Sequence, residues 1–312
     1  MKKIVGVDIG GTSIKLGLFS LQGEKIGETC YPTPVGAPPE VFFQQLAQEV
    51  DQLLLRFGSK EELLGVGLGV PGPVRDQRFV SNVVNLGWRD VDIVDVLSRF
   101  IHCPILVEND ANVAALGEFW QGAGFQVDSL VFITLGTGVG GGVILNRKLF
   151  TGSTGAGGEI GHMPFLEEEA PEACNCGGRW CLELVASATG ITRRTKRLLQ
   201  ESPQSSALRS YKHLDARLIF DQARQRDALA QRIVDQTGRY LGRALAILSA
   251  ILDPQKFIIG GGVCAAGALL LDPVVAYYQQ YAFPGLRSIP IVQASLGNDA
   301  GMYGAARLLL ED

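Results

Sequence analysis

The sequence predicts a two-lobed α/β protein, and three observations carry that expectation. Strand and helix patterns alternate along 312 residues, a length that calls for two domains or one large α/β domain. A strand, a glycine turn and a second strand open the chain at residues 3–19, and the same pattern returns at 130–146. Two such hairpins, one early in each half, suggest a duplicated architecture that closes on one ligand.

Residues 3–9, KIVGVDI, read as a buried strand ending in an acid, followed by the turn Gly10-Gly11-Thr12 and a second strand, Ile14–Phe19. Strand, turn, strand is a hairpin and not the strand-to-helix step of a dinucleotide-binding unit. Residues 40–57 repeat apolar side chains at helical spacing (Val41, Leu46, Val50, Leu53, Leu54, Phe57). Leu64–Val70 is a strand stopped by Pro71-Gly72-Pro73; residues 93–100 form a short helix and Ile105–Val107 a strand. A helix over 111–121 opens from the capping region Asn109-Asp110. Leu130–Leu135 is again a buried strand and runs into the glycine run 136–142. That run contains a G-x-G-x-x-G match, but the strand-like Val143–Asn146 follows where a dinucleotide site needs a helix. Helices are expected over 184–200, 215–226 and 227–252, with strands at 256–259 and 289–294 and a closing helix over 299–310.

Composition excludes several classes. A hydrophobic share of 46% with 19% charged residues fits a soluble enzyme with a full core, and a net charge of −4 leaves no basic footprint for nucleic acid. The apolar start is broken by Asp8 and Gly10-Gly11, which argues against a signal peptide, and the run at Ala244–Leu252 is too short to span a bilayer. Cys30, Cys103 and Cys264 are scattered singly, as in a reducing cytoplasm.

Glycine turns at strand ends let backbone N–H groups approach an anion. Three occur here, at 10–12, 136–142 and 260–262 (Gly260, Gly261, Gly262), while the P-loop pattern is absent. Thr12 and Thr137 add hydroxyls, Lys15 a cation, and Asp8 a carboxylate able to hold Mg²⁺ through water. Taken singly, each cluster is an ordinary tight turn; three at strand ends, one beside an acid, point to a nucleotide triphosphate. Asp110 is the candidate base for phosphoryl transfer to a hydroxyl, with helix capping as its alternative role. A polyol substrate needs further polar partners, and Asn109, Glu159, His162 and Glu183 are the candidates.

The segment 157–183 holds three of the 6 cysteines within eight residues. His162, Cys174, Cys176 and Cys181 supply the ligands of a closed tetrahedral zinc site, with Gly177 and Gly178 turning the loop. Buried reduced thiols beside a surface histidine are the alternative. The C-x-C spacing disfavours a DNA-reading finger.

Five motifs in order then resemble the repressor, open-reading-frame and kinase (ROK) family. They are Asp8-Ile9-Gly10-Gly11-Thr12, Glu108-Asn109-Asp110-Ala111-Asn112, Leu135 through Gly142, Gly157-Gly158-Glu159-Ile160-Gly161-His162, and Cys174-x-Cys176-Gly177-x-x-x-Cys181-x-Glu183. Asn85-Leu86-Gly87-Trp88 and Leu296-Gly297-Asn298-Asp299-Ala300-Gly301 add similarity to its ATP-dependent, glucose-phosphorylating members. The resemblance implies an actin-like, ribonuclease-H-like fold with two lobes around a central cleft. The smaller lobe would be residues 1–110 completed by 296–312, and the larger 111–295 with the zinc loop. It implies ATP with Mg²⁺ as phosphate donor, held by Asp8, Gly10, Gly11, Thr12, Lys15, Gly136, Thr137, Gly138 and Gly260–Gly262. Asp110 would be the catalytic base for the 6-hydroxyl of glucose, and Gly72, Asn85, Asn109, Glu159, His162 and Glu183 would bind the sugar. Zinc would be structural, the assembly a homodimer, the location cytoplasmic, with no nucleic-acid or membrane partner. Another hexose or an amino sugar such as N-acetylmannosamine is the near alternative. A sugar-sensing repressor, which needs a DNA-binding segment ahead of Lys2, and a non-catalytic nucleotide-binding module are the remote ones. One departure concerns the loop: the family glycine before the last cysteine is here Trp180, so a positive φ at that position would be strained.

Overall fold

Strand β1 (Lys3–Ile9) is buried at consecutive positions, as a strand covered on both faces must be. The computed structural model describes residues 2–58, 62–83, 86–166, 170 and 172–310. After β1 come β2 (Ser13–Ser20), β3 (Lys25–Pro32), helix α1 (Pro39–Phe57) and β4 (Leu63–Val70). Three short strands follow, β5 (Val74–Arg75), β6 (Phe79–Val83) and β7 (Trp88–Asp92), then α2 (Ile93–Ser98), β8 (Ile105–Asn109) and α3 (Asp110–Gln121). The first sheet has the order β3-β2-β1-β4-β8: the hairpin side is antiparallel, and β4 and β8 run parallel to β1. β5, β6 and β7 make a small sheet of their own.

The second half opens with β9 (Leu130–Leu135), β10 (Val139–Leu145) and β11 (Lys148–Leu149). Helices α4 (Glu183–Ala186), α5 (Ala188–Glu201), α6 (Ala216–Arg224) and α7 (Ala228–Leu252) lead to β12 (Lys256–Gly260), α8 (Ala268–Tyr281), β13 (Ile291–Gln293) and α9 (Ala300–Arg307). This sheet has the order β11-β10-β9-β12-β13, with β9, β12 and β13 parallel. The chain forms two compact units. One comprises Met1–Asp128, Gly142–Gly158 and Ser295–Asp312; the other comprises Ser129–Gly141 and Glu159–Ala294. α3 therefore falls in the first unit, beyond the edge drawn at residue 110 from the sequence, because it packs on α9 there.

That packing explains much of the glycine content. A Cβ on Gly6 would lie 1.9 Å from the Met302 carbonyl oxygen, one on Gly67 1.8 Å from that of Ala305, and one on Gly304 1.5 Å from that of Val113. α9 thus rests backbone against backbone on β1, β4 and α3, an approach only glycine allows. In α1, Pro39 suits the first helical turn, and Phe42, Phe43, Leu46, Val50, Leu53 and Leu54 bury one face. Phe42 and Phe43 meet Trp88 at ring-centroid distances of 4.6 and 5.2 Å, so Leu86 and Trp88 of the Asn85–Trp88 motif are core residues.

Two expectations change. The run 136–142 is not all turn: only Gly136, Thr137 and Gly138 connect β9 to β10, and Gly140–Gly142 are strand. A Cβ on Gly142 would sit 2.5 Å from the Ala115 methyl, so α3 packing requires the glycine there. The helix expected over 184–200 is interrupted at Ser187, whose hydroxyl caps α5 by accepting the Gly190 N–H.

Candidate active site

In the first unit the β1–β2 register sets Asp8 opposite Lys15 and beside Gly69 of β4. Burial raises the Asp8 carboxyl above its ordinary value, and the Lys15 charge opposes that shift. Gly301, at the start of α9, passes so close that a Cβ there would lie 2.6 Å from the Asp8 carboxyl carbon. The turn closes through the Gly10 N–H to the Ser13 carbonyl at 3.0 Å. Gly11 and Thr12 are exposed, and their N–H groups make no hydrogen bond among the described residues. Lys15 instead donates to the Asn298 carbonyl at 2.9 Å and lies 3.8 Å from Asp299.

The β8–α3 junction assembles a second group. Asn109 is the N-cap of α3: its side-chain oxygen accepts from Ala111 N–H (2.9 Å) and Asn112 N–H (3.2 Å). Its amide nitrogen donates to the Gly72 carbonyl at 3.1 Å, so Gly72 and Asn109 are brought together. Asp110 is the first residue of the helix, exposed, with its carboxylate accepting the Ala111 N–H at 2.8 Å. The capping alternative thus belongs mainly to Asn109. Asn85 lies outside the described residues.

In the second unit two of the glycine turns meet. Gly260 pairs with Thr134 in the β12–β9 register, and a Cβ on Gly261 (φ +83°) would lie 2.5 Å from the Leu135 carbonyl oxygen. The turn Gly136-Thr137-Gly138 is held by the Ala188 N–H to the Gly136 carbonyl (2.9 Å) and by the Thr189 hydroxyl to the Thr137 carbonyl (2.9 Å). Gly262 starts a 3₁₀ turn ahead of α8.

The cysteine loop comes together as the sequence indicated. The ligand atoms of His162, Cys174, Cys176 and Cys181 all lie within 4.8 Å of one another. Cys174 Sγ is 3.5 Å from His162 Nδ1, and Cys176 Sγ 3.4 Å from Cys181 Sγ. Sulfurs bound tetrahedrally at zinc stand about 3.8 Å apart, so this donor set fits the ion. His162 Nε2 lies 3.8 Å from a Glu159 carboxylate oxygen. Burial pushes the Cys174 and Cys181 thiols up, while hydrogen bonds from the Gly178 N–H and the neighbouring thiols leave Cys176 below its ordinary value despite burial. Gly177 turns the loop at φ +88°. Trp180 has no positive φ; its carbonyl accepts the N–H groups of Phe165 (2.7 Å) and Leu166 (3.0 Å), so the tryptophan is accommodated without that strain.

Glu183 joins the loop to the glycine turn. One carboxylate oxygen takes the Cys174 thiol at 3.2 Å, and the other takes the Val139 N–H at 2.9 Å. A Cβ on Gly138 would lie 2.3 Å from that second oxygen. Arg193 and Arg194 donate to the Leu184 and Val185 carbonyls at 3.1 and 2.9 Å and brace α4.

Two supporting acids carry no role in the sequence reading. Glu108, 2% exposed, accepts the Asn109 N–H (2.8 Å) and the Asn112 side-chain amide (3.0 Å). Glu118, fully buried, accepts the Ser295 and Leu296 N–H groups at 3.1 and 2.8 Å and fixes the segment leading to Asn298. Glu108 is flagged by its place beside Asn109-Asp110; Glu118 offers only a charge on an apolar helix.

The ROK family model matches residues 4–312, and the chain belongs to that family. It is 42% identical over 311 residues to the glucokinase of Halalkalibacterium halodurans, covering 98% of this chain and 94% of that one. A crystal structure of a ROK family glucokinase from Streptomyces griseus in complex with glucose and AMPPNP superposes with TM-score 0.78 at 33% identity, covering 98% of each chain. The ROK hexokinase from Thermus thermophilus gives TM-score 0.83 at 32% identity, over 97% of this chain and 96% of that one. The fold is the actin-like ATPase fold of these sugar kinases.

Proposed function

We propose that this protein is an ATP-dependent kinase that phosphorylates the 6-hydroxyl of glucose, with Asp110 as the base. The observation that carries the reading is the placement of Asp110 as first residue of α3, steadied by the Ala111 N–H behind a helix already capped by Asn109. A helix N-terminus favours the ionised carboxylate, the form that accepts a proton. In the proposed step Asp110 takes the hydroxyl proton as the sugar oxygen bonds to the γ-phosphorus. The bond from that phosphorus to the bridging oxygen breaks, and ADP leaves. Asn109, Glu159, His162 and Glu183 bind the other sugar hydroxyls, with Gly72 and Asn85 completing the site. The turns at Gly10–Thr12, Gly136–Gly138 and Gly260–Gly262 hold the phosphates and nucleotide, with Lys15 adding charge.

Mg²⁺, which Asp8 would hold, neutralises charge on the phosphate oxygens when bound. His162, Cys174, Cys176 and Cys181 would hold zinc, which would pin the loop that carries Glu159 and Glu183. A homodimer and a cytoplasmic location complete the proposal; among the described residues no helix is long and apolar enough to cross a membrane. The test is ADP release on mixing folded, metal-replete protein with glucose and Mg-ATP, run beside fructose, allose and N-acetylmannosamine. Glucose should give the highest kcat/KM. Preference for another sugar would move the substrate assignment, and no release with any of them would end the kinase reading.

A further inference from the structure

The first unit contains an open cavity of about 580 Å³ lined by Arg75, Arg147, Lys148 and Arg307 and by the acids Asp76 and Glu108, and Arg147 also pairs with Asp128 at 3.1 Å. That volume is in the range that holds a small metabolite. The cationic excess is notable in a chain of net charge −4. Burial raises the Glu108 carboxyl above its ordinary value, which weakens its repulsion of an anion. Asp76 is exposed and lies 3.8 Å from Arg75. The Lys148 side chain is exposed, and its ammonium makes no hydrogen bond or ion pair among the described residues.

The walls are built at some cost. Asn146 and Arg147 form the two-residue turn between β10 and β11, with φ +50° and +69°. Such a turn favours Asn-Gly, and an arginine at the second position is strained there. Asp76 and Gln77, at the tip between β5 and β6, have φ +53° and +52°. Two left-handed, non-glycine hairpin tips therefore converge on one concavity. The loop beyond is clamped too: a Cβ on Gly155 would lie 2.1 Å from the Val74 carbonyl oxygen.

One wall leads to the catalytic corner. The Gln77 carbonyl accepts the Val107 N–H at 2.9 Å, which fastens the hairpin tip to β8. The next residue, Glu108, lines the cavity and accepts the Asn109 N–H at 2.8 Å, one residue before Asp110. It also holds Asn112, whose side-chain oxygen is buried and has no partner among the described residues.

We propose that this cavity is a second anion site, separate from the ATP and sugar groups, which takes a small phosphate-bearing ligand and acts on Asp110 through Glu108. The binding half is independent of the kinase reading; the coupling half rests on Asp110 being the base. The ligand is a phosphomonoester, as the product hexose 6-phosphate would be, or inorganic phosphate, since both present the same dianion.

The experiment is calorimetric titration of the full chain saturated with glucose and AMPPNP, so that the substrate groups are occupied. Glucose 6-phosphate and inorganic phosphate are titrated separately into wild type and into the double variant Arg75→Glu, Lys148→Glu, two exposed positions outside the proposed machinery. At least one probe should bind the saturated wild type, and the variant should weaken it tenfold or more. Binding of the ester alone identifies a sugar phosphate, and equal binding of both identifies the phosphate group itself. With no probe added, kcat and KM of the variant should match wild type within twofold. Absence of binding to saturated wild type, or unchanged affinity in the variant, would overturn the site. A probe that binds yet leaves wild-type kcat and KM for glucose unchanged would overturn the coupling.

Discussion

Asp8 and Glu183 both stand beside glycine turns of one sequence pattern, but only Asp8 belongs to its own hairpin. Asp8 lies one residue before the end of β1, opposite Lys15 of β2, and its place follows from register alone. Glu183 reaches the turn of the β9–β10 hairpin from α4, and its other oxygen rests on Cys174 of the histidine–cysteine cluster. The first hairpin thus carries its charge within the sheet, whereas the second receives it from a loop that a metal would organise. Similar patterns imply similar turns, but not similar dependence on the rest of the unit.

The sharpest test of that difference is Glu183→Ala, which frees the Val139 N–H and the Cys174 thiol together. It should lower kcat/KM for glucose by about 10²-fold or more, the loss expected when a reacting group is misplaced by about 1 Å. An effect under threefold would remove Glu183 from the site. Stripping the metal should come next: KM for glucose should rise by roughly 10–100-fold, as for loss of a group that orients others. Hydrogen exchange should then increase over residues 136–141 and stay unchanged over 3–20. Equal loosening of both hairpins would erase the contrast. Gly138→Ala should cost less, about tenfold in kcat/KM, because the Glu183 carboxylate is the flexible end of a side chain and is able to yield. An unchanged rate would mean that the close approach is dispensable.

The smallest effect concerns stability. The folded Asp8 carboxyl is raised above 3.8, so the fold favours its neutral form. Its unfavourable contribution is absent below the unfolded value and grows as pH rises through the folded one. Asp8→Asn should therefore melt about 2 °C higher at pH 7, with the gap closing near pH 4, while losing turnover. A lower melting temperature at pH 7 would show that the Lys15 pairing outweighs burial.

Long periodic segments were legible: α1, α3, α7 and the strands flanking the glycine turns stand where periodicity puts them. β5, β6, β7 and β11 were not. Two of them are two residues long, and their turns use Asp76-Gln77 and Asn146-Arg147 in place of glycine. The clustering of His162 with Cys174, Cys176 and Cys181 was legible because chemistry is dense there in sequence, three cysteines and a histidine within one loop. Glu118 was not, since its partners Ser295 and Leu296 are 177 and 178 residues away. Asn109 was read as a polar partner for substrate, and local geometry gives it a structural task as well, tying Gly72 to the cap of α3.

The most direct test is single-turnover phosphorylation of glucose by Asp110→Asn, with glucose and AMPPNP affinities measured on the same preparation. The rate should fall by about 10²–10⁴-fold, the usual contribution of a general base, while both affinities stay within a few-fold of wild type. Wild-type turnover by that variant would contradict the assignment of Asp110.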